Sequence, residues 1–80
     1  MEFEEGVRQI RRFLYNAVMS GNMSSDNAQA INANLRAVDY FVTVAWSRMV
    51  EGYDAESDDA MAAAKKTMAI VAEQLSQKGI

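Results

Sequence analysis

Apolar residues recur at alternating intervals of three and four along three successive segments of the chain. In the first segment they are Phe3, Val7, Ile10, Leu14 and Ala17. In the second they are Ile31, Leu35, Val38, Val42, Ala45 and Met49. In the third they are Met61, Ala64, Met68, Val71 and Leu75. An α-helix has about 3.6 residues per turn, so this spacing places each set on one side of a helix. The pattern therefore predicts three helices, over residues of about 2–20, 25–51 and 58–78.

Two short polar regions separate the three segments, the first around Gly21 and the second around Gly52. Both regions are rich in turn-forming residues. Gly21 is expected to end the first helix, and Ser24 or Ser25 is expected to cap the second. Ser57, followed by two aspartates, is expected to cap the third. Because helices joined by short turns pack side by side, we expect one all-α domain, a three-helix up-down-up bundle that includes all 80 residues.

Residues 40–46 allow a second interpretation of their secondary structure. Their sequence is Tyr-Phe-Val-Thr-Val-Ala-Trp, and its β-branched and aromatic side chains favour a β-strand. No glycine or proline bounds this run, however, and the helical spacing continues through it. We therefore expect helix here, with a strand as the alternative.

The middle segment has more apolar surface than one helix face needs. A second apolar set lies beside the first and includes Ala37, Phe41 and Val44, and Trp46 and Val50 widen it further. A helix that is apolar over most of its circumference is usually buried on several sides. The alanine-rich third segment is too slim to cover all of this surface, and an exposed apolar patch would lower solubility. We therefore predict a homodimer formed through the middle helix, with Phe41, Val44 and Val50 in the contact.

The composition excludes several classes of function. The chain has no cysteine, histidine or proline, and 50% of its residues are hydrophobic. Disulfides and cysteine zinc sites are therefore impossible, and catalysis that depends on an imidazole or a thiolate is excluded. The four glycines are scattered and form no phosphate-binding loop. We expect a folded protein that is not an enzyme and has no catalytic residue, no cofactor and no metal site.

The formal net charge of −3 comes entirely from residues 51–80, which contain six acidic and three basic residues. Within them, Asp54, Glu56 and Asp58 alternate as the first ligands of an EF-hand calcium loop do. The match then fails, because Asp59 replaces the glycine that the loop requires and a lysine replaces its last glutamate. The segment is either a solvated loop that caps the third helix or an acidic docking surface for a partner protein. On the second interpretation, the partner-binding residues are Trp46, Tyr53, Asp54, Glu56 and Asp58, since aromatic side chains dominate many interfaces.

Three arginines at neighbouring positions of the first helix, Arg8, Arg11 and Arg12, are followed one turn later by Tyr15. Arginine beside an aromatic ring is a combination that contacts phosphates and unstacked bases. The same residues are also typical of an ordinary solvated face, on which Arg8 pairs with a preceding glutamate. The acidic net charge argues against general binding to a phosphate backbone. Nucleic-acid binding through these arginines is therefore the alternative function.

The remaining expectations concern the cellular setting of the protein. No apolar run approaches the roughly 20 residues that a membrane span needs, and the acidic first residues do not resemble a signal peptide. We expect a cytoplasmic protein without membrane contact. In its overall character, small, acidic and helical, the sequence resembles phage-encoded accessory proteins and small secretion chaperones, although no motif is shared. We expect a homodimeric protein-binding module of the inhibitor, adaptor or chaperone type, with a structural subunit of a larger assembly as a further alternative.

Overall fold

The computed structural model describes residues 2–77, which form three α-helices and no β-strand. α1 spans Glu2–Met19, α2 spans Ser25–Val50 and α3 spans Asp54–Gln77. The all-α fold class with three helices is confirmed, and the helix packing is consistent with a bundle. Residues 40–46 lie within α2, which excludes the strand alternative. The predicted end of the third helix at residue 78 lies outside the described residues.

Both connections between helices use a glycine in the left-handed region of backbone conformation. Gly21 has a φ of 79° and Gly52 has a φ of 88°. After α1, the N–H groups of Gly21 and Asn22 donate to the carbonyls of Val18 and Ala17, at 3.1 and 2.9 Å. The connection after α2 repeats the same pair of bonds, at 3.1 and 2.8 Å. This arrangement satisfies carbonyl groups that the last turn of a helix otherwise leaves unpaired, so each glycine ends its helix sharply.

α2 begins after Ser24, which is therefore the serine cap expected at one of two positions. The backbone of Ser24 is extended, with φ −72° and ψ 151°, and its side-chain oxygen accepts a hydrogen bond from the N–H of Asn27 at 3.1 Å. Ser25 is instead the first helical residue, and its hydroxyl accepts a bond from the side chain of Gln29 at 3.3 Å. Asp26 in the first turn adds a negative charge where the helix dipole favours it.

α3 begins at Asp54, four residues before its predicted start, so the predictions of a loop and of a Ser57 cap are wrong. The carbonyl of Tyr53 accepts the first bond of α3 from the N–H of Ser57, at 2.9 Å. The hydroxyl of Ser57 donates to the carbonyl of Ala45 on α2 instead, at 2.8 Å. Asp54 and Glu56 lie in the first turn, where the helix dipole stabilises negative charge. The acidic composition of this region therefore favours a helix start rather than a loop.

α2 lies at the centre of the molecule and packs against both other helices, most extensively against α3. Every buried side chain in the described part of the chain is apolar. These side chains are Val7, Leu14, Ala17, Met23, Ile31, Leu35, Val38, Val42, Ala45, Ala60, Ala64 and Val71. The predicted apolar face of α2 is thus buried with one exception, because Met49 at its end is 50% exposed.

Met49 is exposed because α1 is shorter than the helix against which it packs. Arg11 of α1 contacts both Asn32 and Asp39, so it lies level with the midpoint between these two residues of α2. From that level α1 extends about 14 Å to its start, whereas α2 extends about 22 Å to Val50. The paired ends of α2 and α3 therefore project about 8 Å beyond α1, and we call this projection the tip. It contributes to an elongated shape of 46 × 18 × 18 Å.

Candidate functional site

We call the side of the α2–α3 pair that carries α1 its front side. Residues seven positions apart lie on nearly the same side of an α-helix. On α2, Asn32 and Asp39 both bind Arg11 of α1, at 3.0 Å in each case, and they therefore mark the front side. Trp46 follows Asp39 by seven residues, so it also lies on the front side, beyond the start of α1.

The front side of α3 is identified in the same way. The terminal methyl carbon of Met68 lies 4.0 Å from the point that a Cβ on Gly6 of α1 would occupy, so Met68 faces α1. Met61 and Asp54 precede Met68 by seven and fourteen residues and share its side of the helix. Asp54 lies in the tip, where α1 does not cover α3, whereas Met61 lies at the base of the tip, is half-buried and packs against the core cluster.

The tip groove is an apolar cavity of about 160 Å³ between α2 and α3 on the front side of the tip. It is lined by Ala45, Trp46, Met49, Ser57 and Met61. Ala45 is buried and closes the floor, and its carbonyl already accepts the hydroxyl of Ser57. Trp46 and Met49 are 48% and 50% exposed, so both present large apolar surfaces to solvent. The tip groove therefore lies in line with α1 and continues the groove that α1 fills.

Two carboxylates, Asp54 and Asp58, lie on the side of α3 that carries the lining residue Met61, although neither belongs to the lining itself. Asp58 lies one turn after Asp54 and one turn before Met61, so all three lie along the same side of the helix. Both aspartates are exposed, and neither forms a hydrogen bond or ion pair with another described residue. The next cation along this side of α3 is Lys65, two turns after Asp58. The edge of the tip groove is therefore negatively charged.

The five predicted partner-binding residues all lie in the tip, but they do not share one side of it. The tryptophan and the two aspartates border the tip groove, as described above. Glu56 lies on the opposite side, where Arg48 binds it at 3.5 Å and also binds Glu51 at 3.3 Å. Tyr53 lies in the turn between α2 and α3 and is 53% exposed. The structure thus brings three of the five together and directs Glu56 away from them.

Met49 was assigned to the core but is half exposed in the tip groove, whereas Met61, assigned in the same way, does pack against the core and lines the groove from there. A usable signal was present in the predicted helix lengths, since the first helix is shorter than the second by about two turns. When two antiparallel helices are joined by a short turn, the end of the first lies level with the start of the second. The longer second helix then extends past the start of the first helix at the far end. The last residues of its apolar face then lack a covering helix.

We call the opposite side of the α2–α3 pair its back side. On it, the side chain of Asn34 donates to that of Gln74 at 2.9 Å, and Arg48 binds Glu56 at 3.5 Å. Phe41 lies seven residues after Asn34 and seven before Arg48, so it also faces the back side. The back side is therefore crossed by two polar contacts with an aromatic ring between them.

A second apolar surface, which we call the back patch, surrounds this ring. It is formed by half-buried Ala37, Phe41 and Val44 of α2 and by Ile70 of α3, which is 47% exposed. Val50 does not join it, because it follows the front-side residue Trp46 by one turn and is 76% exposed. The structure therefore brings together two of the three residues predicted for self-association, Phe41 and Val44.

The three arginines of α1 do not form one free basic face. Arg11 is turned toward α2, where its hydrogen bond and ion pair hold the two helices together. Arg8 forms an exposed ion pair with Glu5 at 3.4 Å, and Arg12 is exposed. Only Arg8 and Arg12 of the predicted nucleic-acid contacts therefore remain on the solvent side of α1.

A larger open groove, of about 370 Å³, lies between α1 and α2. Its apolar lining includes Leu14, Val18 and Ala28, and Tyr15 is 66% exposed at its edge. Its charged group is the guanidinium of Arg11, which already binds α2. This groove therefore offers apolar surface but no free charged group to orient a ligand.

Across residues 2–77, no three acidic side chains lie close enough together to bind a metal ion. None of the helices in that same stretch is long and apolar enough to cross a membrane. Comparison with protein-family models, with curated proteins and with solved structures found no match.

Proposed function

We propose that this chain is a small, acidic, non-enzymatic protein-binding module of the inhibitor, adaptor or chaperone type, and that its partner binds at the tip groove. The observation that carries the proposal is the uncovered end of the front side. There Trp46 and Met49 are half exposed above an apolar floor. Large apolar side chains in a concave site supply much of the binding free energy at protein interfaces, and tryptophan is prominent among them.

The size and lining of the tip groove favour a protein segment over a small molecule. Its volume of about 160 Å³ is below the roughly 300–1,000 Å³ of typical small-molecule sites. The hydroxyl of Ser57 is already bonded to the carbonyl of Ala45, so this lining group is not available to orient a ligand. α1 fills the same groove farther along the molecule, which indicates that a helical segment fits it.

The proposal is tested by placing a photo-crosslinking amino acid at Met49 and expressing the protein in the cells that encode it. We expect one discrete crosslinked protein, because the side chain at this position points into the proposed contact. A matched control places the same amino acid at Arg36, which is exposed on the solvent side of α2, outside both the tip groove and the back patch. The additional change Met61→Glu should abolish the adduct. Identical crosslinking patterns from the two positions would contradict the proposal.

We propose in addition that the module acts as a homodimer formed through the back patch. α2 carries apolar residues on its front and back sides, and α1 covers only part of the front. On α3, the exposed Asp59 and Lys66 are seven residues apart, and Ile70 lies one turn after the lysine. A second copy related by a two-fold axis can place each lysine opposite the aspartate of its partner, because the same surface meets itself. The charges beside the back patch therefore suit a second copy.

Ile70→Lys is expected to raise the dissociation constant of the dimer at least about tenfold, because each copy loses apolar contact and gains a charge. This order of magnitude corresponds to the free energy of burying one apolar side chain. Light scattering and sedimentation through the micromolar range provide the measurement. Val50→Lys introduces the same charge at a more exposed position outside the back patch and should leave the dimer intact. A wild-type chain that stays monomeric throughout this range would refute the homodimer.

The two alternatives from the sequence predict different outcomes. Nucleic-acid binding would have to rely on Arg8 and Arg12, since Arg11 is held by α2, and its affinity would fall steeply with salt. A structural subunit would form assemblies that continue to grow beyond two copies as the concentration rises. Neither alternative makes use of the exposed tip groove, and for this reason we favour the protein-binding module.

A further inference from the structure

We infer that the partner segment bound at the tip groove is an amphipathic helix with lysine or arginine residues along one edge. The inference rests on the proposed function and adds the chemistry of the partner to it. Two features of the tip carry it: the direction of the groove and the sign of the charge on its edge.

The direction of the tip groove indicates a helical occupant. Trp46 continues the line of α2 residues that bind α1, and Met61 continues the line of α3 that faces α1. A helix laid end to end with α1 therefore meets the same kind of surface that α1 meets. The apolar side chains of such a helix, spaced by three and four residues, would contact Trp46, Met49 and Met61.

The charge on the edge of the tip groove selects the polar residues of that helix. Residues 51–59 contain five acidic residues and no basic one. The nearby cation Arg48 is engaged with Glu51 and Glu56 on the back side. Asp54 and Asp58 remain exposed beside the groove without a partner among the described residues. An acidic helix, or the tip of a second copy, would bring like charges together, whereas a basic edge pairs with both aspartates.

The single tryptophan of the chain reports directly on this site. Trp46 lines the tip groove, so burial by a bound helix should shift its fluorescence to shorter wavelength. The probes are two synthetic helical peptides with the same leucine and alanine stripe, one flanked by lysines and one by glutamates. We expect the lysine peptide to bind the full-length protein about tenfold more tightly at low salt, with the difference shrinking as salt is added.

Paired variants separate the charge effect from the groove. Asp54→Asn with Asp58→Asn should weaken the lysine peptide about fivefold and bring the two peptides close together in affinity. Asp26→Asn with Glu5→Gln makes the same change in net charge at exposed positions outside both the tip groove and the back patch, and should have little effect. Met49→Glu, at a half-exposed position that folding tolerates, should abolish the binding of both peptides.

The outcomes distinguish this inference from the proposed function. If the two peptides bind with equal affinity and both shift the fluorescence of Trp46, the inference that the partner helix has a basic edge is overturned. The tip groove would still be a site that binds helices. No fluorescence shift with either peptide, combined with a specific crosslink from Met49, would overturn the helical partner and retain protein binding. No shift together with no specific crosslink would overturn the inference and the proposed function alike.

Discussion

Leu35→Ala is expected to lower the free energy of unfolding by about 2–5 kcal/mol. Leu35 lies near the middle of α2, is 0% exposed and belongs to the single apolar core cluster that joins the described helices. Its truncation removes buried methyl groups and leaves a cavity that the rigid surroundings fill only partly. A small domain has a total stability of about 5–15 kcal/mol, so this one change would remove a large fraction of it.

Urea unfolding followed by circular dichroism at fixed protein concentration gives the free energy for each variant. Val50→Ala serves as the control, because it also truncates an apolar residue of α2 but at a position that is 76% exposed. Its effect should stay within about 0.5 kcal/mol. Similar losses for the two variants would show that the centre of α2 is not the core that the structure describes.

Gly52→Ala and Gly6→Ala are expected to change stability in opposite directions. Gly52 has a φ of 88°, a conformation that costs an alanine about 1–2 kcal/mol, so this variant should be destabilised. Gly6 lies inside α1, and a Cβ there would make an ordinary contact, 4.0 Å from a methyl group of Met68. Alanine at position 6 should therefore stabilise the protein by about 0.5–1 kcal/mol, because it reduces the entropy of the unfolded chain.

Thermal unfolding of the two alanine variants and the wild type measures both effects in one experiment. The midpoint should fall for Gly52→Ala and rise for Gly6→Ala. The pair isolates backbone conformation, since the chemical change is the same at both positions. A decrease for both variants would mean that α1 does not approach α3 as loosely as the spacing at Gly6 indicates.

The two proposed surfaces lie on opposite sides of the α2–α3 pair, and this arrangement has a consequence for binding. A dimer formed through the back patch would leave both tip grooves open. A partner with two helical segments, or two linked partners, could then bind both grooves at once, which raises the apparent affinity without any new contact. The charges beside the two surfaces support different partners for them. The tip groove has a negative edge, whereas the oppositely charged Asp59 and Lys66 lie near the back patch.

Much of the fold followed from the apolar spacing, but the candidate site followed from it only in part. The faces containing Val7, Leu35 and Val71 were predicted and are buried. The start of α3 was misplaced because acidic residues were read as a loop, although the first turn of a helix favours them. Trp46 was recognised as a contact residue, but Met49 was assigned to the core, since its spacing continues the buried face of α2 without interruption.

The sequence by itself determined the three helices and the sides that they bury, because both depend on interactions between residues that are close along the chain. It also determined the two glycine stops, since few residues other than glycine adopt a positive φ without strain. Only the tertiary structure decided which apolar residues stay uncovered and which charges are already paired. The exposure of Met49 depends on where α1 begins relative to α2, and the pairing of Arg11 depends on two residues that lie 21 and 28 positions away. Such contacts between distant parts of the chain are set by helix packing, which local spacing does not encode.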